Sequence, residues 1–329
     1  MTFRRVLQAW DRFLFEPVSP VPVALYRIAF GTTVLLNLLF LLPDMHSFFG
    51  EQGVLSRAAS LEMLKTPRIN VLVWLPEGRV WLVLFFAVAI AAALSLTVGF
   101  FTRTSAVIVW ACVASLHHRN PAITHAGDSF MRVAAFYLIF SAAGRSVSVD
   151  RWLRVRRGVE PPGAPPPVAP LGQRLIQVQL AIAYLATVYW KLHGHTWVDG
   201  TAVYYATRVR EYDRFFVPYL FDHLWTVKLL TWGTLAVEVA LGVLVWFRDL
   251  RYPVLLAGAM LHLGLEYSMN IQLFQWVMLS AYVLFIDPRD VRLALGRLTR
   301  RRRYAEAPQS AGGDPGTGGG ADAPSPSHA

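Results

Sequence analysis

Three residues stand where charge is costly and chemistry is therefore worth looking for: Lys191, His262 and Glu266. His262 and Glu266 are four apart in PVLLAGAMLHLGLEYSM, so a helix brings both to one face, a spacing that suits proton transfer or metal binding. Metal is the weaker fit, because a site usually takes three protein ligands and His117, His118, His193 and His195 form no ligand spacing with this pair. Lys191 closes the apolar run in QLAIAYLATVYWKLHGHTWVDGTAVYY. An amine there can snorkel, keeping its stem in lipid and its ammonium in water. Alternatively a desolvated amine has a lowered pKa and serves as base or nucleophile. Other ionisable groups also fall in apolar stretches: Arg27, Asp128, Arg132 and Glu238. Each costs a few kcal/mol in a membrane and calls for a partner, a wet cavity or a function. The simplest reading of Arg27 with Glu238 is an internal ion pair.

The elements that must position these groups are hydrophobic helices. Of the 329 residues, 55% are apolar and 16% charged, against roughly 25% charged in a soluble domain. Several runs reach the roughly 20 residues that cross a hydrocarbon core. The sequence predicts an all-α, polytopic transmembrane bundle of about eight spans, near 21 to 43, 79 to 101, 104 to 118, 128 to 144, 172 to 192, 224 to 247, 252 to 268 and 271 to 287. The third and last are short for a crossing.

Loop charge orients the bundle. Eight spans put on one side Arg103, the cluster Arg145, Arg151, Arg154, Arg156 and Arg157, then Arg248 and Arg251, and the tail arginines Arg300 to Arg303. Both termini are then cytoplasmic. The other side holds Arg57, Lys65, Arg68, Arg208, Arg210 and Arg214, interleaved with acids and aromatics, in two long loops, 44 to 78 and 193 to 223. Their aromatic residues suit short helices at the lipid–water boundary that roof a cavity.

Residues 1–17 read as a cytoplasmic amphipathic segment, 18–290 as the membrane domain, and 291–329 as a basic and then disordered tail. The proline-rich stretch from Pro161 to Pro170 reads as extended linker. The first twenty residues carry Arg4, Arg5, Asp11, Arg12 and Glu16, so no cleavable signal peptide is expected. The net charge of +10 belongs to membrane topology rather than to nucleic-acid binding, since the basic residues flank hydrophobic segments. The single cysteine, Cys112, lies inside an apolar run and reads as a buried thiol.

Several motifs in order resemble one family. KLHGHTWVDG after the fifth span, LYRIAFG in the first, RNPAITHAGDSFMR followed by SVSVDRW, and HLGLEYSMNIQLFQWVML together are similar to the HTTM family, whose domain is shared with vitamin K-dependent gamma-carboxylases. The resemblance covers roughly residues 18 to 290. It implies that Lys191 matches the lysine that deprotonates vitamin K hydroquinone, that His262 matches a histidine of the seventh segment, and that the active site faces the exported side. Asp128 stands where the carboxylases have a histidine, and the spacing from Lys191 to Trp197 is one residue longer than the family's. The large exported domain with which carboxylases hold protein substrates has no counterpart here, so peptide carboxylation does not follow.

Two functions fit. One is an enzyme in a bacterial plasma membrane acting on a reduced quinone or another lipid-soluble substrate. Its catalytic candidates are Lys191, His262 and Asp128, with Arg27, Trp197, Glu238, Glu266 and Asn120 as substrate contacts and no metal. The other is a noncatalytic membrane module that uses the same polar residues for packing or for ligand contacts. Neither names a protein partner.

Overall fold

The computed structural model describes residues 3–63, 68–215, 219–291 and 293. Lys65, Arg300 to Arg303 and most of the tail lie outside the described residues. The chain divides into one unit, Met1–Pro288, and a second, Arg289–Ala329.

Among the described residues the structure is helical and has no strand, only two isolated bridges. Apolar runs become helices because, in hydrocarbon, a helix satisfies its own backbone N–H and C=O groups. Helix α1 (Phe3–Phe15) leads into α2 (Val21–Leu41), followed by short helices α3 (Met45–Phe49), α4 (Arg57–Met63) and α5 (Val71–Trp74). Next come α6 (Arg79–Val98), α7 (Thr102–Arg119), α8 (Ala126–Ile139) and the short α9 (Val149–Arg156). After α10 (Leu171–Leu192), short helices α11 (His195–Val198) and α12 (Ala202–Ala206) precede α13 (Leu224–Val243), α14 (Arg248–Ser268) and α15 (Phe274–Tyr282). Among the described residues, four segments are long and apolar enough to cross a membrane: Val21–Leu41, Arg79–Val98, Leu171–Leu192 and Leu224–Trp246.

The expected third span is an 18-residue helix, longer than its apolar core suggested. The fourth is shorter, with 14 helical residues, because the chain turns at Ala143–Arg145. The last stays short, Phe274–Phe285.

Contacts between loops define two ends. At the arginine-rich end, Val18 pairs with Val168, the Asp150 amide donates to the Gly99 carbonyl, and Arg174 donates to the Phe13 carbonyl at 3.2 Å. The proline-rich stretch bends at 162–164 and is tied to the chain at Val168. At the long-loop end, Arg119 donates to the carbonyls of Leu55 and Gly50, and the Asn270 amide donates to the Tyr212 carbonyl. Helix α1 buries none of its residues and docks edgewise, Phe13 lying 5.8 Å from Trp246.

The core joins α2 and α6 to α7, α8, α10, α13, α14 and α15. Tyr26, Phe30, Val34 and Leu38 recur at helical spacing and meet Phe86, Ala89, Ala93 and Leu96. Small residues let these backbones approach, since apolar area alone does not drive helices together in lipid.

Candidate functional site

Helices α10, α13, α14 and α15 bring six polar side chains together: Tyr184, Lys191, Glu238, His262, Gln275 and Tyr282. The buried face of α10 runs through Gln173, Gln177, Leu180, Tyr184 and Val188, and Lys191, two turns beyond Tyr184, continues it. The Lys191 ammonium does not simply snorkel into water. It donates to Glu238 Oε1 at 2.5 Å and lies 4.4 Å from the centre of the Trp197 ring. Glu238 is 7% exposed, and its Oε2 is buried without a hydrogen-bond partner. A carboxylate on one side and an aromatic face on the other both favour the charged ammonium.

Next to this pair the Tyr184 hydroxyl lies 2.7 Å from His262 Nε2 and 2.7 Å from the Tyr282 hydroxyl. His262 Nδ1 lies 2.5 Å from Gln275 Oε1. An amide oxygen only accepts, so Nδ1 carries the proton and Nε2 accepts from Tyr184, which in turn accepts from Tyr282. The result is a directed chain, Tyr282 to Tyr184 to His262 to Gln275. Gly258 makes it possible, because a Cβ there would sit 2.6 Å from the Tyr282 hydroxyl. Both tyrosines are close enough to feel the charge of Glu238, and His262 that of Lys191.

Other candidates from sequence lie elsewhere. Arg27 and Glu238 do not pair. Arg27 is fully buried at the arginine-rich end, where Nη2 donates to the Val147 carbonyl at 2.6 Å, while Glu238 lies level with Lys191. His262 and Glu266 share α14 but not a contact, because Glu266 turns to Arg214 and to the Trp276 indole N–H. Asp128 is the third helical residue of α8 and closes a capping box, accepting from the His125 amide at 2.9 Å. It also lies 3.6 Å from His117 Nε2. Asn120 is spent on the Phe48 carbonyl and the Ala122 amide. Lys191, Trp197, Glu238 and His262 are thus brought together, whereas Asp128, Asn120, Glu266 and Arg27 are held in scaffold contacts.

The sequence reading missed Tyr184, Tyr282 and Gln275. The available signal was spacing: Tyr184 stands seven residues before Lys191, and Tyr282 seven after Gln275, each on one helical face. Among the described residues no three His, Cys, Asp or Glu converge as metal ligands would. A cavity of about 540 Å³ does lie beneath the 44–78 loop, lined by His46, Glu51, Arg79, Trp81 and Arg119 among others, and includes none of the Lys191 cluster.

Comparison with known proteins gives a family-model match to the HTTM domain over residues 15–289. An uncharacterized Bacillus subtilis (strain 168) protein, YitO, is 26% identical over 121 residues, which span 35% of this chain and 39% of that protein. No solved structure gives a significant match.

Proposed function

The chain belongs to the HTTM domain family, and on that premise we propose a membrane enzyme that acts on a quinol or another lipid-soluble substrate, with Lys191 as its base. The observation that carries this reading is the Lys191–Glu238 contact at 2.5 Å, beside the tyrosine–histidine chain. An amine folded back against a buried carboxylate has a proton acceptor in direct hydrogen-bond contact.

The surroundings fit a quinol. Glu238 Oε2 is a buried acceptor without a partner, and Tyr189, Trp190, Leu192 and Val198 leave an exposed apolar surface next to Lys191. A quinol supplies a ring hydroxyl proton, whose departure leaves the O–H electron pair on a quinolate oxygen. Lys191 accepts the proton and Trp197 orients the amine, beside His262, which Gln275 and Tyr184 hold in place.

Eight helical segments cross the plasma membrane in this reading, with both termini and the arginine-rich end cytoplasmic. The loop arginines support that orientation. Reporter fusions after Arg103, Gly144 and Arg248 test it, and an exported reporter at any of them overturns it.

The function is tested by mass spectrometry of lipids and quinones that co-purify with wild type and with Lys191→Ala. A quinone or its epoxide enriched only with wild type supports quinol chemistry at Lys191. A second reading, the noncatalytic module, draws on the same contact, because an ammonium engaged by Glu238 and Trp197 can equally serve as a packing strut. It prevails if neither sample holds a specific quinone.

A further inference from the structure

The resting arrangement raises a difficulty for a lysine base. Glu238 and Trp197 both stabilise the ammonium form of Lys191, and an ammonium cannot accept a proton. The amine must first lose one, and the geometry restricts where it goes. The tyrosine–histidine chain is already committed: Nε2 of His262 accepts from Tyr184, and Nδ1 donates to Gln275. Glu238 Oε1 is in direct contact with the ammonium at 2.5 Å, a distance over which a proton passes without rearrangement. Its second oxygen, buried and unpartnered, has no hydrogen bond of its own to hold the carboxylate charged.

We propose that Glu238 is the proton acceptor that arms Lys191: when an apolar ligand covers the site, the Lys191 N–H proton moves to Glu238 Oε1, leaving a neutral amine beside a carboxylic acid. This rests on the quinol reading above. One N–H bond breaks and one O–H bond forms, and no net charge moves on or off the pair. The driving force is desolvation. The Lys191 side chain is 19% exposed in the open site, so water still stabilises the ion pair. Covered by an apolar ring, the pair loses that water, and in a low-dielectric setting two opposite charges become expensive relative to two neutral groups. Glu238 is then a positioning residue, acting through Lys191, and the site generates its base only when occupied.

The test is infrared difference spectroscopy of the protein in lipid nanodiscs, with a short-tailed naphthoquinol added under nitrogen and its binding followed by tryptophan fluorescence. The expected result is a new carboxylic-acid C=O band on binding, moved by heavy water and by carboxyl-labelled glutamate in the wild-type chain. The band is lost in Glu238→Gln and returns at a shifted frequency in Glu238→Asp. It is also absent from the difference spectrum of Lys191→Met, where no ammonium supplies the proton. Binding without a new band, or a band that survives Glu238→Gln, overturns the proposal while leaving the quinol reading intact. Failure of the naphthoquinol to bind wild type defeats the quinol reading, and the proposal with it. The label shows that the band belongs to a glutamate, and Glu238→Asp, which keeps a carboxyl at that position, separates loss of the acid from loss of the fold.

Discussion

The two ends of the bundle bury cationic side chains in different ways. At the arginine-rich end, Arg27 is met by backbone: its Nη2 donates to the Val147 carbonyl, and the Gly99 backbone lies so near that a Cβ would sit 1.5 Å from Nη1. The nearby Asp150 carboxylate is occupied by the amides of Phe101 and Thr102 and by the Thr102 hydroxyl. At the other site, Lys191 is met by a carboxylate, beside a phenol–imidazole chain. Backbone carbonyls do not titrate, so the Arg27 site holds one state. Around Lys191, the Trp197 ring and the Gln275 amide hold one state, but the Glu238 carboxyl, the His262 imidazole and the two phenols are groups that can gain or lose a proton, so that site can change state. A buried charge in a membrane helix therefore reads as architecture or as chemistry according to what it is paired with.

The largest expected effect breaks the rigid end. Gly99 combines a φ of +74° with the Arg27 contact, whereas Gly158 has a similar φ of +72° and open space around it. Gly99→Ala is expected to cost about 4 kcal/mol, because it adds a clash inside a buried charge site to the backbone strain. Gly158→Ala carries only the backbone strain, about 1 kcal/mol. Denaturant unfolding in detergent micelles separates the two, and equal losses would show that Arg27 is not caged as described.

A double-mutant cycle sharpens the contrast. Lys191→Met and Glu238→Leu each leave a half-buried or buried partner behind and are expected to cost about 3 kcal/mol, with most of that loss recovered in the double variant. Arg27→Met has no such rescue, since its partner is a main-chain carbonyl. Additive losses at Lys191 and Glu238 would mean that the pair is not coupled. Within the tyrosine chain, Tyr184→Phe breaks two hydrogen bonds and Tyr282→Phe breaks one, for about 2 and about 1 kcal/mol respectively. Thermal unfolding of the two variants checks that order.

Much of this was legible in the sequence. Hydropathy located the helices, and the same runs exposed Arg27, Lys191, Glu238 and His262 as costly residues. Partner choice was not legible, because hydropathy carries no depth or rotation. Arg27 and Glu238 look like complementary charges along the chain, yet they lie near opposite ends. His262 and Glu266 share a face by spacing, but one meets α10 and α15 while the other is drawn out to Arg214. Asp128 is explained by local backbone, since the first turn of α8 needs acceptors for its free N–H groups. Tyr184 and Gln275 escaped notice because a tyrosine or glutamine in a membrane helix is ordinary until its neighbours are known.

The smallest expected effect belongs to the arginine-rich end outside the membrane helices, where a carboxylate provides an internal control. Glu160 accepts from Arg145 and Arg154, each at 2.7 Å. Desolvation pushes its pKa upward, but the two arginine hydrogen bonds outweigh this and hold it below the usual carboxylate range. A carboxyl whose pKa is lowered by folding stabilises the folded state above its unfolded pKa, and this contribution is lost as pH falls through the lowered value. Hydrogen exchange across residues 154–163 should therefore rise at acidic pH in wild type and already be raised at neutral pH in Glu160→Gln. Exchange around Val147 and Gly99 should barely change, because Arg27 is held there by a carbonyl that acid does not protonate. If acid loosened both segments together, the Arg27 site would depend on the surface cluster, and the contrast between a fixed end and a titrating one would have to be redrawn.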